Sequence, residues 1–206
     1  MSRILAISDI HGHSRGLKLL LDYAEYVPAN DRLFLLGDFL SYRESENRQT
    51  LLLLQELIHD GAEAVIGNHE VRLLNEPYPT DWQEAWLPLI RSMKPYIRYD
   101  RYLFVHAGIQ PGLPLEQQPV QTLTEIRQPF HADTFVPDPY VVFGHTPTER
   151  LGCKPGSVYF ANHKIGIDTG AKHHLRLTMV DLTNRLAYSC STARESHYSD
   201  LQVTSF

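Results

Sequence analysis

The sequence predicts an α/β protein built on a parallel sheet with helices on its faces. Two observations predict it. Short apolar runs rich in β-branched and aromatic residues alternate with stretches of helical periodicity, which is the pattern of consecutive βαβ units. Those runs also end repeatedly in aspartate, asparagine or histidine, and in open α/β sheets ligands gather beyond the carboxyl ends of the strands.

RILAIS (3–8) reads as a buried strand. Leu17, Leu20, Leu21 and Ala24 recur at helical spacing and place a helix over 15–26. DRLFLLG (31–37) is the next strand. Thr50 to His59 carries Leu51, Leu54 and Ile58 on one face, and Gly61 suits its stop. AEAVIG (62–67) is a third strand. Thr80 and Gln83 then form a capping-box pattern ahead of Trp82, Trp86, Leu89, Ile90 and Met93. That stripe predicts a core-packed helix over about 81–94, ending before Pro95. RYLFVHA (101–107) and YVVFGH (140–145) are further strands. The segment 108–139 between them is rich in Pro and Gln and predicts a long loop with a short helix, capped at Thr122 by Glu125. VYFA, KIGIDTG, LRLTMVDL and RLAYSCS complete the chain as strands with short turns.

The chain has 206 residues, 43% hydrophobic and 21% charged, which suits one domain spanning 1–206 with a full core. A net charge of −5 carries no basic nucleic-acid footprint. Two cysteines, Cys153 and Cys190, form neither a disulfide framework nor a CxxC pair, so a reducing, cytoplasmic setting is expected. The apolar run Ile4 to Ile7 is too short for a signal-peptide core, and no stretch approaches a membrane span.

Five predicted strands end in similar chemistry: Asp9 and His11, Asp38, Asn68 and His69, His106, and His145. Each alone has an ordinary explanation. A strand-end aspartate is commonly a helix N-cap or an Asx-turn, and a strand-end histidine is commonly a hydrogen-bonded packing residue. Five together at one sheet edge favour a shared site. Carboxylate, imidazole and amide oxygen suit manganese, zinc or iron and argue against a thiolate site. The set is too large for one ion and fits two ions sharing a carboxylate.

With these residues together, the chain resembles the calcineurin-like metallophosphoesterases, on the side of the bacterial and phage serine/threonine-type protein phosphatases and the dinucleoside tetraphosphatases. The blocks SDIHG, LLGD, GNHE, FVHAG and FGHTP carry the resemblance, which runs from Asp9 to about Gly170. It implies a four-layer α/β/β/α sandwich, two mixed sheets flanked by helices. It implies that Asp9 and His11 hold a first metal, that Asp38 bridges, that Asn68, His106 and His145 hold a second, and that His69 is a general acid. Two divalent ions are implied, manganese first, with iron, zinc or nickel as alternatives.

Two blocks depart from the family's pattern. Pro147 stands where many relatives have a further histidine ligand. The phosphatase block GDxxDRG reads GDFLSYRES here, with Ser41 at the second aspartate and Arg43 one residue late. Arg43 remains a candidate catalytic and phosphate-binding residue, or else a solvated arginine beside Glu44 and Glu46. His173, after IDTGA, is a candidate substrate contact beside His174, and Asp168 is expected to fix that turn. His13 reads as a surface or helix-start residue, with a pocket-lining role as the alternative, and His59, His131, His163 and His197 read as surface histidines.

The expected activity is metal-dependent hydrolysis of a phosphoric ester on a phosphorylated partner. A phosphoprotein or phosphomonoester substrate comes first, and a dinucleoside tetraphosphate is the alternative. A non-catalytic interaction module of the same fold is a third reading, which the presence of His69 disfavours.

Overall fold

The computed structural model describes residues 2–41, 43–132 and 138–206. The expected segment 108–139 therefore includes five positions, 133–137, outside the described residues.

β1 (Ile4–Ile7) is buried along its whole length. α1 (Ser14–Tyr23) turns Leu17, Leu20 and Leu21 inward, and β2 (Arg32–Leu36) returns parallel to β1 with Leu35 opposite Ile7. α2 (Glu44–His59) starts earlier than Thr50. Its first turn is polar and acidic, favourable at a helix N-terminus but silent in hydrophobic periodicity. β3 (Glu63–Val65) pairs parallel with β2. α3 (Asn68–Leu74) follows at once; it is a short helix the sequence spacing did not announce.

α4 (Asp81–Arg91) has the expected capping box, Thr80 N–H donating to Gln83 Oε1 at 2.7 Å. It stops short of residue 94 because Lys94 is used elsewhere. Lys94 N–H donates to Ala64 O and Lys94 O accepts from Ile66 N–H, bridging to β3. β4 (Tyr96–Tyr99) and β5 (Tyr102–Val105) form a hairpin. α5 (Val120–Glu125) begins after Pro119, so Thr122 lies inside the helix and the second capping box does not form. β6 (Tyr140–Phe143), β7 (Tyr159–Ala161), β8 (Lys164–Gly166), β9 (Arg176–Asp181) and β10 (Leu186–Ser191) follow as strands. β11 (Gln202–Ser205) is an exposed edge strand with no hydrophobic signal to mark it.

The strands make two mixed sheets, ordered β11-β10-β9-β1-β2-β3 and β4-β5-β6-β8-β7. β1, β2 and β3 are parallel, as are β5, β6 and β8. β9 to β11 pair antiparallel in the first sheet, and β4 and β7 pair antiparallel at the edges of the second, so both sheets are mixed, as the family resemblance implied. Alternation along the strands divides the core into layers. Leu5 and Ile7 face a cluster with Leu17, Leu20, Leu51 and Leu54 of the helices. Ala6, Phe34 and Val180 of the first sheet meet Phe104, Val142 and Ile165 of the second. Leu103, Val105, Val141 and Phe143 face Leu123 and Phe130 on the far side. Helices, sheet, sheet and helix are thus the four layers of the expected sandwich. Among the described residues, no helix is long and apolar enough to cross a membrane.

Phe34 and Phe104 stack across the sheet–sheet interface, with ring centroids 4.0 Å apart and planes at 8°. Phe104→Ala should cost about 3–5 kcal/mol, the usual price of emptying a buried aromatic site. Urea unfolding should show a lower midpoint at unchanged slope, and a loss below about 1 kcal/mol would mean that the two sheets do not lean on this contact.

Candidate metal centre

The carboxyl ends of β1, β2 and β3 in one sheet and of β5 and β6 in the other open onto one cleft. β1 delivers Asp9 and His11, and β2 delivers Asp38. Asn68 and His69 open α3 just after β3. His106 follows β5, and His145 follows β6. Asp38 lies between the contributions. Its Oδ1 is 3.4 Å from His106 Nε2, and its Oδ2 is 3.8 Å from both His11 Nε2 and His69 Nε2. His11 Nε2 is 3.6 Å from Asp9 Oδ1. Two groups result, His11–Asp38–His69 and Asp38–His106–His145, each with ligand atoms within 4.8 Å of one another.

The backbone is bent hard to achieve this. Asp9, His11, Asp38 and His145 hold φ of 52°, 44°, 52° and 63°, left-handed conformations that non-glycine residues seldom adopt and that concentrate at functional sites. The glycines of the same blocks admit close approach. A Cβ on Gly67 would strike the backbone nitrogen of Asp38, and one on Gly144 would strike Ser8 and Asp9.

Three of the four imidazoles, those of His106, His11 and His69, are oriented by their second nitrogen. Nδ1 of His106 faces Leu36 O at 2.7 Å, and Nδ1 of His11 and of His69 face Leu40 O at 3.2 and 3.1 Å. A carbonyl only accepts, so Nδ1 carries the hydrogen and Nε2 turns a lone pair to the cleft. The Asn68 side-chain oxygen lies 2.9 Å from His145 Nδ1, 3.1 Å from His106 Nε2 and 3.3 Å from each Asp38 oxygen. Rotating the amide would offer two N–H groups to these four acceptors. A divalent cation satisfies all of them and leaves the oxygen where it is, so the residues fit a metal. His145 N–H and the Ser8 hydroxyl both donate to Asp9 Oδ2.

Charge follows the same geometry. Burial works against ionised Asp9, yet His11, His106 and the Ser8 hydroxyl outweigh it and hold its pKa well below the carboxylate range. Burial likewise opposes charge on His106, but Asp38 and Asp9 raise its pKa on balance. Burial, reinforced by His106, pushes His145 down to about 4.

Glu70 is fully buried beneath the cleft. Its carboxylate accepts backbone N–H groups of Asp38 (2.8 Å), Phe39 (3.0 Å), Leu40 (3.3 Å) and Gly67 (3.1 Å). Burial and the charge of Asp38 push its pKa up to about 7, while His106 and the N–H groups of Asp38 and Phe39 pull it down.

The cleft encloses about 230 Å³. Besides Asp9, His11, Asp38, Asn68, His69 and His145 it is lined by Asp168, Pro147 and His173, and by three cations that sequence reasoning missed: Arg127, Arg150 and Lys172. Lys172 Nζ is 3.1 Å from His69 Nε2. Asp168 accepts Gly170 N–H at 3.0 Å, fixing the turn as expected. Arg43 does not line this cleft; its side chain is 72% exposed and pairs with Glu46 at 3.1 Å, the solvated arrangement its acidic neighbours suggested. His13 sits at the N-cap of α1. His131 is half-buried rather than fully on the surface; it packs on Phe143 and faces Thr146 Oγ1 at 3.1 Å.

A sequence profile of calcineurin-like phosphoesterases matches residues 2–176. Among curated proteins, the symmetrical bis(5'-nucleosyl)-tetraphosphatase of Shewanella frigidimarina is 30% identical over 126 residues, 51% of this chain and 44% of that one. The protein of the same name from Nitrosomonas europaea is 27% identical over 159 residues, 69% of this chain and 58% of its own length. That from Pseudomonas putida is 41% identical over 124 residues, 52% and 42%. The chain spans about half the length of these relatives. Among solved structures, a candidate diadenosine tetraphosphatase superposes with a TM-score of 0.77 at 22% identity, covering 94% of this chain and 95% of that one. A protein serine/threonine phosphatase of Saccharomyces cerevisiae superposes at 0.59 with 14% identity, covering 100% and 79%. At these identities the structural likeness speaks for the fold alone.

Glu70→Gln tests the scaffold beneath the ligands. The amide keeps one acceptor oxygen and turns its NH2 toward backbone donors, which should cost at least about 2 kcal/mol at roughly 1–3 kcal/mol per buried unsatisfied group. Chemical denaturation should record that loss, and metal titration should record weaker binding; a variant as stable as the parent with unchanged metal affinity would contradict the assignment.

Proposed function

The chain belongs to the calcineurin-like phosphoesterase family, and we propose that within it the protein is a metal-dependent hydrolase of dinucleoside polyphosphates. The observation that carries the catalytic reading is the convergence of ligand atoms from two sheets on the shared Asp38. The substrate class rests on the relatives, which are named as symmetrical bis(5'-nucleosyl)-tetraphosphatases. The phosphoprotein reading, placed first from the sequence, gives way on two grounds. No named curated relative above supports it, and Arg43 lies outside the metal cleft.

Asp9, His11 and Asp38 would hold one cation, and Asp38, Asn68, His106 and His145 the other. When bound, a pair of divalent cations, manganese by preference, supplies a hydroxide nucleophile near neutral pH and neutralises phosphoryl oxygens. Hydrolysis forms one P–O bond from water and breaks one bridging P–O bond. Symmetrical cleavage of a dinucleoside tetraphosphate then gives two nucleoside diphosphates, and the leaving oxygen needs charge relief or a proton. His69 faces it with Nε2, since Nδ1 is committed to Leu40 O. Burial lowers the pKa of His69, with His11 and Lys172 adding to that and Asp38 opposing it. The Lys172 ammonium, 3.1 Å from Nε2, can supply a proton to that nitrogen. Arg127, Arg150 and Lys172 place positive charge around the phosphate chain, so a chain of net charge −5 can still receive a polyanion.

The direct test is turnover of diadenosine tetraphosphate, a phosphopeptide and p-nitrophenyl phosphate after chelation and after manganese, iron, zinc or nickel is restored. Chelation should abolish activity and metal should recover it, with ADP the sole nucleotide product. Rapid phosphopeptide turnover with no cleavage of the dinucleotide would overturn the substrate assignment. His69→Ala should retain metal and lose about 10²–10⁴-fold in rate, most with poor leaving groups; full activity toward an alkyl phosphate would remove His69 from proton transfer.

A further inference from the structure

Beside the metal cleft lies a larger cavity of about 620 Å³, which shares His11, Lys172 and His173 with it. We propose that this second cavity is a nucleoside diphosphate subsite that holds the departing half of the substrate, with Arg15 and Arg194 on its phosphates and the His13–His197–Tyr198 cluster on its base. The proposal rests on the dinucleotide reading above.

Size is the first argument. The metal cleft, at about 230 Å³, suits a phosphate chain but not a nucleotide, whereas about 620 Å³ falls among ordinary small-ligand sites, roughly 300–1,000 Å³. Position is the second, because a substrate attacked at the metals must extend somewhere, and Lys172 and His173 line both spaces. Charge is the third. The lining holds three arginines and Lys172 against one acid, Glu46, and that acid is already engaged by Arg43 and by Ser41 Oγ at 2.9 Å. Guanidinium groups grip phosphate oxygens in paired hydrogen bonds.

The fourth argument is a prearranged aromatic surface. His197 and Tyr198 stack with centroids 3.9 Å apart and planes at 26°. His13 stands edge-on to both, 5.7 and 5.9 Å away, and its Nδ1 is 2.7 Å from the Tyr198 hydroxyl. Tyr198 holds a φ of 61°, and its N–H donates to Ser191 O at 2.8 Å. Gly16 of α1 makes room for its ring, since a Cβ there would come within 2.8 Å of Tyr198 Cε1. Base stacking on such rings is typically worth about 1–3 kcal/mol. Thr192, Arg194, His197 and Tyr198 lie beyond residue 176, where the family profile ends. His197 and Tyr198 therefore belong to a part of the chain that the shared motifs do not reach, while His13 directly follows the first of those motifs.

Arg194 and His197 are exposed, so Arg194→Glu and His197→Ala should fold. The experiment measures ADP and inorganic phosphate binding to the metal-loaded protein by calorimetry, alongside the selectivity for diadenosine tetraphosphate over p-nitrophenyl phosphate. The parent should bind ADP at least tenfold tighter than phosphate. Arg194→Glu should weaken ADP at least tenfold and phosphate less than threefold, and His197→Ala should weaken ADP severalfold. Where the dinucleotide is cleaved, selectivity should fall in proportion. ADP binding that is no tighter than phosphate, or is unmoved by both substitutions, overturns the subsite. If the parent leaves the dinucleotide uncut yet loses ADP affinity in the variants, the subsite stands and the dinucleotide reading falls. If it cuts the dinucleotide and both variants keep its selectivity and ADP affinity, the reverse holds.

Discussion

The candidate metal centre depends on one buried carboxylate outside the ligand set proposed for it. Glu70 gathers the N–H groups of Asp38, Phe39, Leu40 and Gly67, and so clamps the loop after β2 to the loop after β3. Asp38 is the residue both ligand groups share, and Leu40 O receives the Nδ1 hydrogens of His11 and His69. Loosening the Glu70 clamp would therefore disturb three separate strand ends at once. An acceptor-only group with two oxygens suits such a cluster of N–H donors, which explains why a carboxylate is buried there despite the cost of removing it from water.

Strain and packing share the remaining work. Four ligand-bearing positions adopt left-handed backbone, at an order of 1–3 kcal/mol each. Two rigid sheets bear that cost because their interface is apolar and continuous from Ala6 and Phe34 to Phe104 and Val142. His106 comes from the second sheet, yet its Nδ1 is held by Leu36 O of the first. The site thus exists only when the two sheets are docked. Electrostatically it is divided in two, with carboxylates and imidazoles at the base and Lys172, Arg127 and Arg150 around the rim.

Much of this was legible in the sequence because the ligands sit at the ends of strongly apolar strands, where periodicity is clear and the terminal residue is conspicuous. Asp9, His11, Asp38, Asn68, His69, His106 and His145 all line one constellation. Features without an apolar signature were less visible. β4 is half-exposed and β11 fully so, and the first turn of α2 is polar. The cations of the rim were hidden for another reason: Arg127, Arg150 and Lys172 come from loops and short turns whose path local patterning does not set. Arg43 shows the converse, a residue chosen from a motif that pairs instead with its own helix neighbour, Glu46. Glu70 stood within GNHE, but its role is set by N–H groups distant in sequence.

The central claim is that these side chains hold two cations, one on each side of Asp38. Anomalous diffraction from manganese-loaded crystals measures this directly. The account predicts two peaks roughly 3.5–4 Å apart, one against Asp9 and His11 and the other against Asn68, His106 and His145, with Asp38 touching both. A single peak, or peaks away from Asp38, would contradict it.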